Sequence, residues 1–272
     1  MSYEPKIILH GAPNARDLGG IETADGRVVK KNRIIRSGML RNITDEDVKY
    51  LKSADLRTVV DFRTEQERIQ KPDRIIEGVD YICCPLLERK TDGITRDKPE
   101  TEEEEARRTV AMAQKLMSRN RDGRAQMKSL YPVLVSEDLP VNGLKKFFKV
   151  MLTQEKGAVL YHCTMGKDRV GTATALLLSA LNVPRETIVR DYMITLERCR
   201  PGTERLLSNC KKYTDDKEIL EFVYLLDIVE EDFIGAVFET AEAQCGSMKN
   251  YLRDRIGLGE NDLARLRAMY TE

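Results

Sequence analysis

The sequence predicts an α/β fold with a mostly parallel central sheet, flanking helices and a helical C-terminal half. Three observations carry that reading. Short β-branched strands alternate with helix starts in the first third. A strand from Gly157 to His162 turns at Cys163 straight into an apolar helix that runs through Leu181. From Pro184 to Glu272 the apolar residues recur at helical spacing, as in Ile188, Tyr192, Leu196 and Leu220, Val223, Leu226.

In chain order, Ile21, Val28, Val29, Ile34 and Ile35, interrupted by Asp25-Gly26 and Lys30-Lys31-Asn32, read as a small hairpin. Thr44 with Asp47 has the spacing of a capping box, and Ile43 with Val48 that of a hydrophobic staple, so a helix opens there and ends near Asp55. Thr58-Val59-Val60-Asp61-Phe62 is a buried strand, and Thr64 with Glu67 repeats the capping-box spacing just after it. Val79 to Cys84 is the next strand, and a helix between two strands implies a parallel βαβ unit that places Cys84 beside the strand leading to Cys163. Cys84 is thereby a candidate partner for Cys163 in a protective disulfide. The segment 88–138 departs from this pattern, with an acidic run at Glu100 and Glu102 to Glu105 followed by Val110, Ala113, Leu116 and Met117. It reads as a solvated charged helix or as a lid. Leu144, Phe147, Phe148, Met151 and Leu152 mark a core-facing helix with Asn142 placed to cap it. No internal repeat or linker divides the chain, so 1–272 reads as one domain with 88–138 as its lid or insertion.

Composition narrows the function. Lys plus Arg number 45 and Asp plus Glu number 45, so no general positive field is available for a nucleic-acid backbone, and any attraction for anions must be local. The longest stretch free of charge, Val170 to Pro184, is too short and too rich in Thr and Ser to span a bilayer, so no integral membrane contact is expected. The cysteines at 83, 84, 163, 199, 210 and 245 form no Cys-x-x-Cys pair, and the histidines are His10 and His162 alone, which leaves too few ligands for a zinc cluster. No metal and no cofactor are expected. The N-terminus lacks the basic and apolar regions of a signal peptide, so the expected location is the cytoplasm, although a processed chain would lack them too.

The chemistry is concentrated in His162-Cys163-Thr164-Met165-Gly166-Lys167-Asp168-Arg169-Val170-Gly171. A loop between a buried strand and a helix N-terminus can aim backbone N–H groups at a tetrahedral dianion. The backbone of Thr164, Met165, Gly166, Lys167 and Asp168, together with Arg169, forms the predicted phosphate cradle. Arg169 supplies a planar fork for two phosphoryl oxygens, and Lys167 adds a point charge that would favour polyanionic head groups. The same positive field favours the thiolate of Cys163, an in-line nucleophile for phosphoryl transfer. His162 points to the other side of the extended backbone and reads as an orienter of the loop. Two carboxylates compete as general acid. Asp61 lies at the carboxyl end of a parallel strand, where ligands of open α/β sheets bind, and is the first choice; Asp168, inside the loop, is the second. The other role open to Asp61 is a pairing with Arg63 or Arg36, and that open to Asp168 is holding Lys167 or the loop amides.

These residues resemble the bacterial tyrosine-phosphatase-like family that includes secreted lipid and protein phosphatases of intracellular pathogens. Asn14-Ala15-Arg16-Asp17-Leu18-Gly19-Gly20, Arg36-Ser37-Gly38, Val60-Asp61-Phe62-Arg63-Thr64, Asp191-Tyr192 and the final Tyr251-Leu252 to Leu266-Arg267 match its landmarks in order. The resemblance implies a protein-tyrosine-phosphatase fold with a helical lid and a metal-independent phosphomonoesterase acting through a phosphocysteine. It also implies a phosphorylated protein or a phosphoinositide as substrate. Val170 departs from the family pattern, which has Thr or Ser after the loop arginine to help the thiolate leave. A phosphate-binding pseudophosphatase and a thiol-dependent sulfurtransferase are the alternatives.

Overall fold

The computed structural model describes residues 9–88 and 101–272. A five-stranded sheet has the order β1 (Arg16–Asp17), β2 (Ile34–Ser37), β5 (Ala158–His162), β3 (Leu56–Asp61), β4 (Asp80–Cys83). Only β1 is antiparallel to its neighbour; β2, β5, β3 and β4 run parallel. Alternation along the strands sends side chains into two cores. Ile34, Val60, Val159 and Tyr161 join one cluster, and Ile35, Val59, Ala158 and Leu160 join the other. Burial on both faces explains why Ala158 to Tyr161 of β5 reads as a continuous apolar run.

The smaller core is closed by α1 (Asp45–Ser53) and by Leu9, Ala12 and Ala15 of the N-terminal segment. Thr44 and Asp47 make the expected capping box, and Asp47 also accepts the backbone N–H groups of His10 and Gly11, both at 2.8 Å. The larger core is closed by helices: α3 (Glu102–Met117), α4 (Gly123–Lys128), α5 (Leu130–Ser136), α6 (Asp138–Thr153), α7 (Asp168–Ala180), α8 (Arg185–Cys210), α9 (Lys217–Asp227), α10 (Glu231–Cys245), α11 (Met248–Tyr251), a π-turn (Leu252–Ile256) and α12 (Glu260–Tyr270). Between β3 and β4 lies the short α2 (Glu65–Gln70), capped as expected by Thr64 and Glu67. Among the described residues, no helix is long and apolar enough to cross a membrane.

Three local expectations are corrected. The Asp25-Gly26 turn does close a bridge between Glu22 and Val28, but Ile34 and Ile35 belong to β2, drawn away by pairing with β5. The helix expected to be capped at Asn142 begins earlier, at Asp138, and Pro140 falls in its first turn, where a missing N–H costs no intrahelical bond. Finally, β3 lies between β4 and β5, with Asp61 level with both Cys83 and His162. Two strand spacings, about 10 Å, therefore separate the ends of β4 and β5, too far for a disulfide from Cys84 to Cys163 without backbone movement. Burial also pushes the Cys84 thiol up to about 12. Of the segment 88–138, residues 89–100 lie outside the described residues; its remainder forms α3, α4, α5 and the first residue of α6, and α3 packs on α8 and α9.

Candidate active site

The carboxyl ends of β2, β5 and β3 lie at one level, with Ser37 and Asp61 both in register with His162. Cys163 leaves β5 at that edge, and Arg169 lies in the first turn of α7. Cys163 keeps only 3% of its surface exposed and Arg169 none. The guanidinium is aimed by a residue with no role in the sequence reading beyond a helix cap. Glu67 Oε2 accepts Arg169 Nη1 at 2.7 Å and Glu67 Oε1 accepts Nη2 at 2.9 Å, a parallel pair of charge-assisted bonds. Thr164 Oγ1 donates to the same Oε1 at 2.6 Å, so one carboxylate ties both ends of the loop. Burial works against ionisation of Glu67, yet Arg169, Thr164 and the Thr64 N–H overcome it and hold the carboxyl at about 2. The capping box was visible as Thr64-x-x-Glu67; that its carboxylate would serve the loop depends on the position of β3 beside β5.

Asp61, the first choice as acid, is committed elsewhere. Its Oδ1 accepts Arg63 Nε at 3.0 Å and the Arg63 N–H at 2.9 Å, and its Oδ2 accepts Arg63 Nη2 at 2.7 Å. Arg63, not Arg36, is its partner. Arg63 Nη2 also lies 2.6 Å from Asp73 Oδ2, and His162 Nε2 lies 3.2 Å from that same oxygen. Burial of His162 disfavours its charged form, but Asp61 and Asp73 reverse this and raise its affinity for a proton. The His162 Nδ1–H donates to the Cys163 carbonyl at 3.1 Å, which sets the start of the loop. Among the described residues, Asp61, Asp73 and His162 are the one group whose ligating atoms come within 4.8 Å of one another, as a metal site would need. Arg63 already supplies a cation between both carboxylates.

Lys167 and Asp168 face away from that network. The Lys167 ammonium donates to the carbonyls of Leu226 and Ile228, at 2.9 and 3.3 Å, where α9 ends. Those carbonyls are the negative pole of α9, so the ammonium straps the loop to a helix end. Asp168 Oδ1 lies 3.7 Å from Lys167 Nζ and accepts the Tyr131 hydroxyl at 2.5 Å. Tyr131 in turn meets the Tyr192 hydroxyl at 2.5 Å. Burial first, and the Asp168 carboxylate next, push the Tyr131 hydroxyl well above its ordinary range, so it stays a donor. Val170 is fully buried in the larger core. Gly166 is at φ +66, and a Cβ there would come within 2.6 Å of Ser37 C and O, so the turn needs glycine.

Beside Thr164 and Met165 opens a cavity of about 580 Å³, walled by the N-terminal segment, α3 and α8. Its charged lining is balanced, Lys71, Arg198 and Arg205 against Glu102, Glu105 and Asp227. A family model described as the tyrosine phosphatase family matches residues 7–272. The chain belongs to the tyrosine phosphatase family. It is similar to a Cupriavidus necator protein named as a tyrosine-protein phosphatase, 31% identical over 94% of this chain and 85% of that one. It is also similar to the triple specificity protein phosphatase PtpB of Mycobacterium tuberculosis, 25% identical over 96% of this chain and 97% of that one. A tyrosine-protein phosphatase of Nostoc commune is 29% identical over 70% of this chain and 56% of its own length. The protein is thus a cysteine-based phosphatase acting on phosphomonoesters. The α/β architecture, the parallel sheet and the helix-rich C-terminal half agree with that membership.

Proposed function

We propose that this phosphatase acts on phosphotyrosyl protein, through a phosphocysteine on Cys163 and with Asp168 as proton donor and acceptor. In the first step Cys163 Sγ attacks phosphorus as the bond to the leaving oxygen breaks, and Asp168 protonates that oxygen. In the second, water attacks phosphorus, the S–P bond breaks, Asp168 takes the proton from water, and the thiolate and inorganic phosphate are restored. Arg169 and the loop amides stabilise the equatorial oxygens throughout, the electrostatic work that phosphoryl transfer chiefly requires. The observation that carries this reading is the bidentate Glu67–Arg169 pair, which presents a preset fork beside a buried cysteine at the sheet edge. Asp168 is preferred over Asp61 because Arg63 occupies both oxygens of Asp61, whereas Tyr131 takes Oδ1 of Asp168.

Two features support a phosphotyrosyl protein over a polyphosphoinositide. The Lys167 ammonium is engaged by α9, and the neighbouring cavity balances its three cations with three carboxylates. Neither offers a surplus of positive charge for additional phosphates. In this reading α3 is the lid, contributing Glu102 and Glu105 to the cavity wall. The test is a set of initial rates, without added metal, on matched phosphotyrosyl, phosphoseryl and phosphothreonyl peptides and on a phosphoinositide panel, with acid quench to trap the phosphoenzyme. The phosphotyrosyl peptide should be fastest, with radiolabelled phosphate on Cys163. A faster phosphoinositide would overturn the substrate choice, and turnover in Cys163→Ser would overturn the mechanism.

A further inference from the structure

Asn14, Arg16, Arg36, Asp191 and Thr195 form a buried cluster that closes on a single loop atom. Asn14 Nδ2 donates to the Gly166 carbonyl at 2.7 Å, and Arg36 Nη2 donates to the same oxygen at 2.9 Å. Both donors are themselves held in place. Arg16 Nη1 donates to Asn14 Oδ1 at 2.5 Å, and Asn14 Nδ2 also reaches Thr195 Oγ1 at 3.2 Å. Asp191 accepts Arg16 Nε at 2.8 Å and Arg36 Nη1 at 2.9 Å. Burial opposes the charge on Asp191, but the two guanidinium groups hold its carboxyl below the ordinary carboxylate range. One turn of α8, carrying Asp191 and Thr195, thereby fixes the direction of both donors.

A trans peptide is planar, with its C=O and N–H pointing in opposite directions. Gly166 packs against the Ser37 and Gly38 backbone at the end of β2, so that side is the outside of the loop. A Gly166 carbonyl turned toward Asn14 and Arg36 therefore sends the Lys167 N–H inward. The same logic holds earlier in the loop, where the Thr164 carbonyl accepts the Met39 N–H at 3.1 Å and the Met165 N–H is left facing in. There the clamp is backbone; at Gly166 it is made of side chains and can be removed.

We propose that Asn14, backed by Arg36, is a positioning residue for phosphoryl transfer, holding the Gly166–Lys167 peptide with its N–H aimed at the phosphoryl oxygens. A reversed peptide would put a carbonyl oxygen against the phosphoryl oxygens. This rests on the phosphatase mechanism above, and wild-type turnover of p-nitrophenyl phosphate with inhibition by vanadate checks that mechanism separately. Asn14 sits at φ +56, in the left-handed region that asparagine and glycine accept. Asn14→Gly thus deletes the amide without adding backbone strain.

The expected result for Asn14→Gly is a fall in kcat of at least tenfold with a parallel weakening of vanadate inhibition, while KM changes less than about threefold, since loss of one oriented donor typically costs on the order of a hundredfold in rate. Asn14→Asp, nearly the same shape, should show the same split, and it serves as the test if the glycine variant does not fold. Turnover and vanadate affinity within twofold of wild type in a folded variant would overturn the proposal. So would a lowered melting temperature with unchanged kcat per titrated thiol, because that is the signature of a purely structural residue.

Discussion

Replacing Glu67 by Gln removes one charge and one acceptor from the pair that aims Arg169, and the structure sets the size of the effect. Holding the Glu67 carboxyl at about 2 rather than 4.5 corresponds to about 3 kcal/mol of native-state stabilisation. Because the folded-state value lies below the ordinary one, that contribution is complete above about pH 4.5 and is lost as pH falls toward 2. Gln keeps the shape but turns an N–H toward the guanidinium, leaving a buried cation half-partnered, a change of the class that costs about 3 to 5 kcal/mol. At roughly 2 to 4 °C per kcal/mol for chains of this order of length, the melting temperature at neutral pH should drop by roughly 6 to 20 °C. Thermal melts of wild type and Glu67→Gln from neutral to acid pH would show the gap widest near neutrality and narrowing below about pH 4.5. Turnover at a temperature where both are folded should fall at least tenfold, since the Arg169 fork is no longer preset. A gap of less than about 2 °C, or one that does not narrow in acid, would refute the argument that the ionised Glu67 carboxylate holds this loop.

Four other outcomes follow from the same geometry. Cys163→Ser should lose turnover entirely yet retain vanadate binding by isothermal titration, because the cradle is built of amides and Arg169; loss of both would make Cys163 a structural residue. Gly166→Ala should lose both vanadate binding and activity, since its Cβ would press on Ser37 backbone atoms at 2.6 Å and the position is at φ +66; an active alanine variant would show that the loop is not held as described. Lys167→Met should lower stability by about 2 kcal/mol, as expected for removing charged hydrogen bonds, and should reduce rates on phosphopeptide and phosphoinositide by equal factors. A selective loss on phosphoinositide would return the ammonium to substrate binding. Asp168→Asn should depress turnover of a phosphotyrosyl peptide far more than that of an aryl ester with an acidic phenol, because a good leaving group needs little protonation; the same pattern in Asp61→Asn would move the acid to β3.

Local signals were legible where a residue's role depends on its neighbours in sequence. The strand into Cys163, the apolar helix after it and the two Thr-capped helix starts needed only short-range chemistry, and the structure has them at Ala158–His162, Asp168–Ala180, Asp45 and Glu65. The loop from Cys163 to Arg169 is of the same kind, since cysteine, glycine and guanidinium are carried on one short stretch of chain. Asn142 lies inside α6, whose first turn tolerates Pro140, and Cys84 follows β4, which β3 separates from β5.

Partners brought from afar were another matter. Asp61 meets Arg63, a partner that its position in sequence already offered, whereas Asp168 meets Tyr131, a contact that no spacing indicates. Lys167 reads in sequence as a point charge in the loop, and its bond to the end of α9 depends on long-range packing. Glu67 reads as a helix cap in sequence and becomes the seat of Arg169 only because β3 pairs with β5 and carries α2 to the mouth of the loop. The sequence by itself determined the class of fold and the likeness to the phosphatase family, since these follow from covalent order and local propensity. Only the tertiary structure decided which charges pair with which, because a side chain of either sign acts on whatever long-range packing sets within a few ångströms of it.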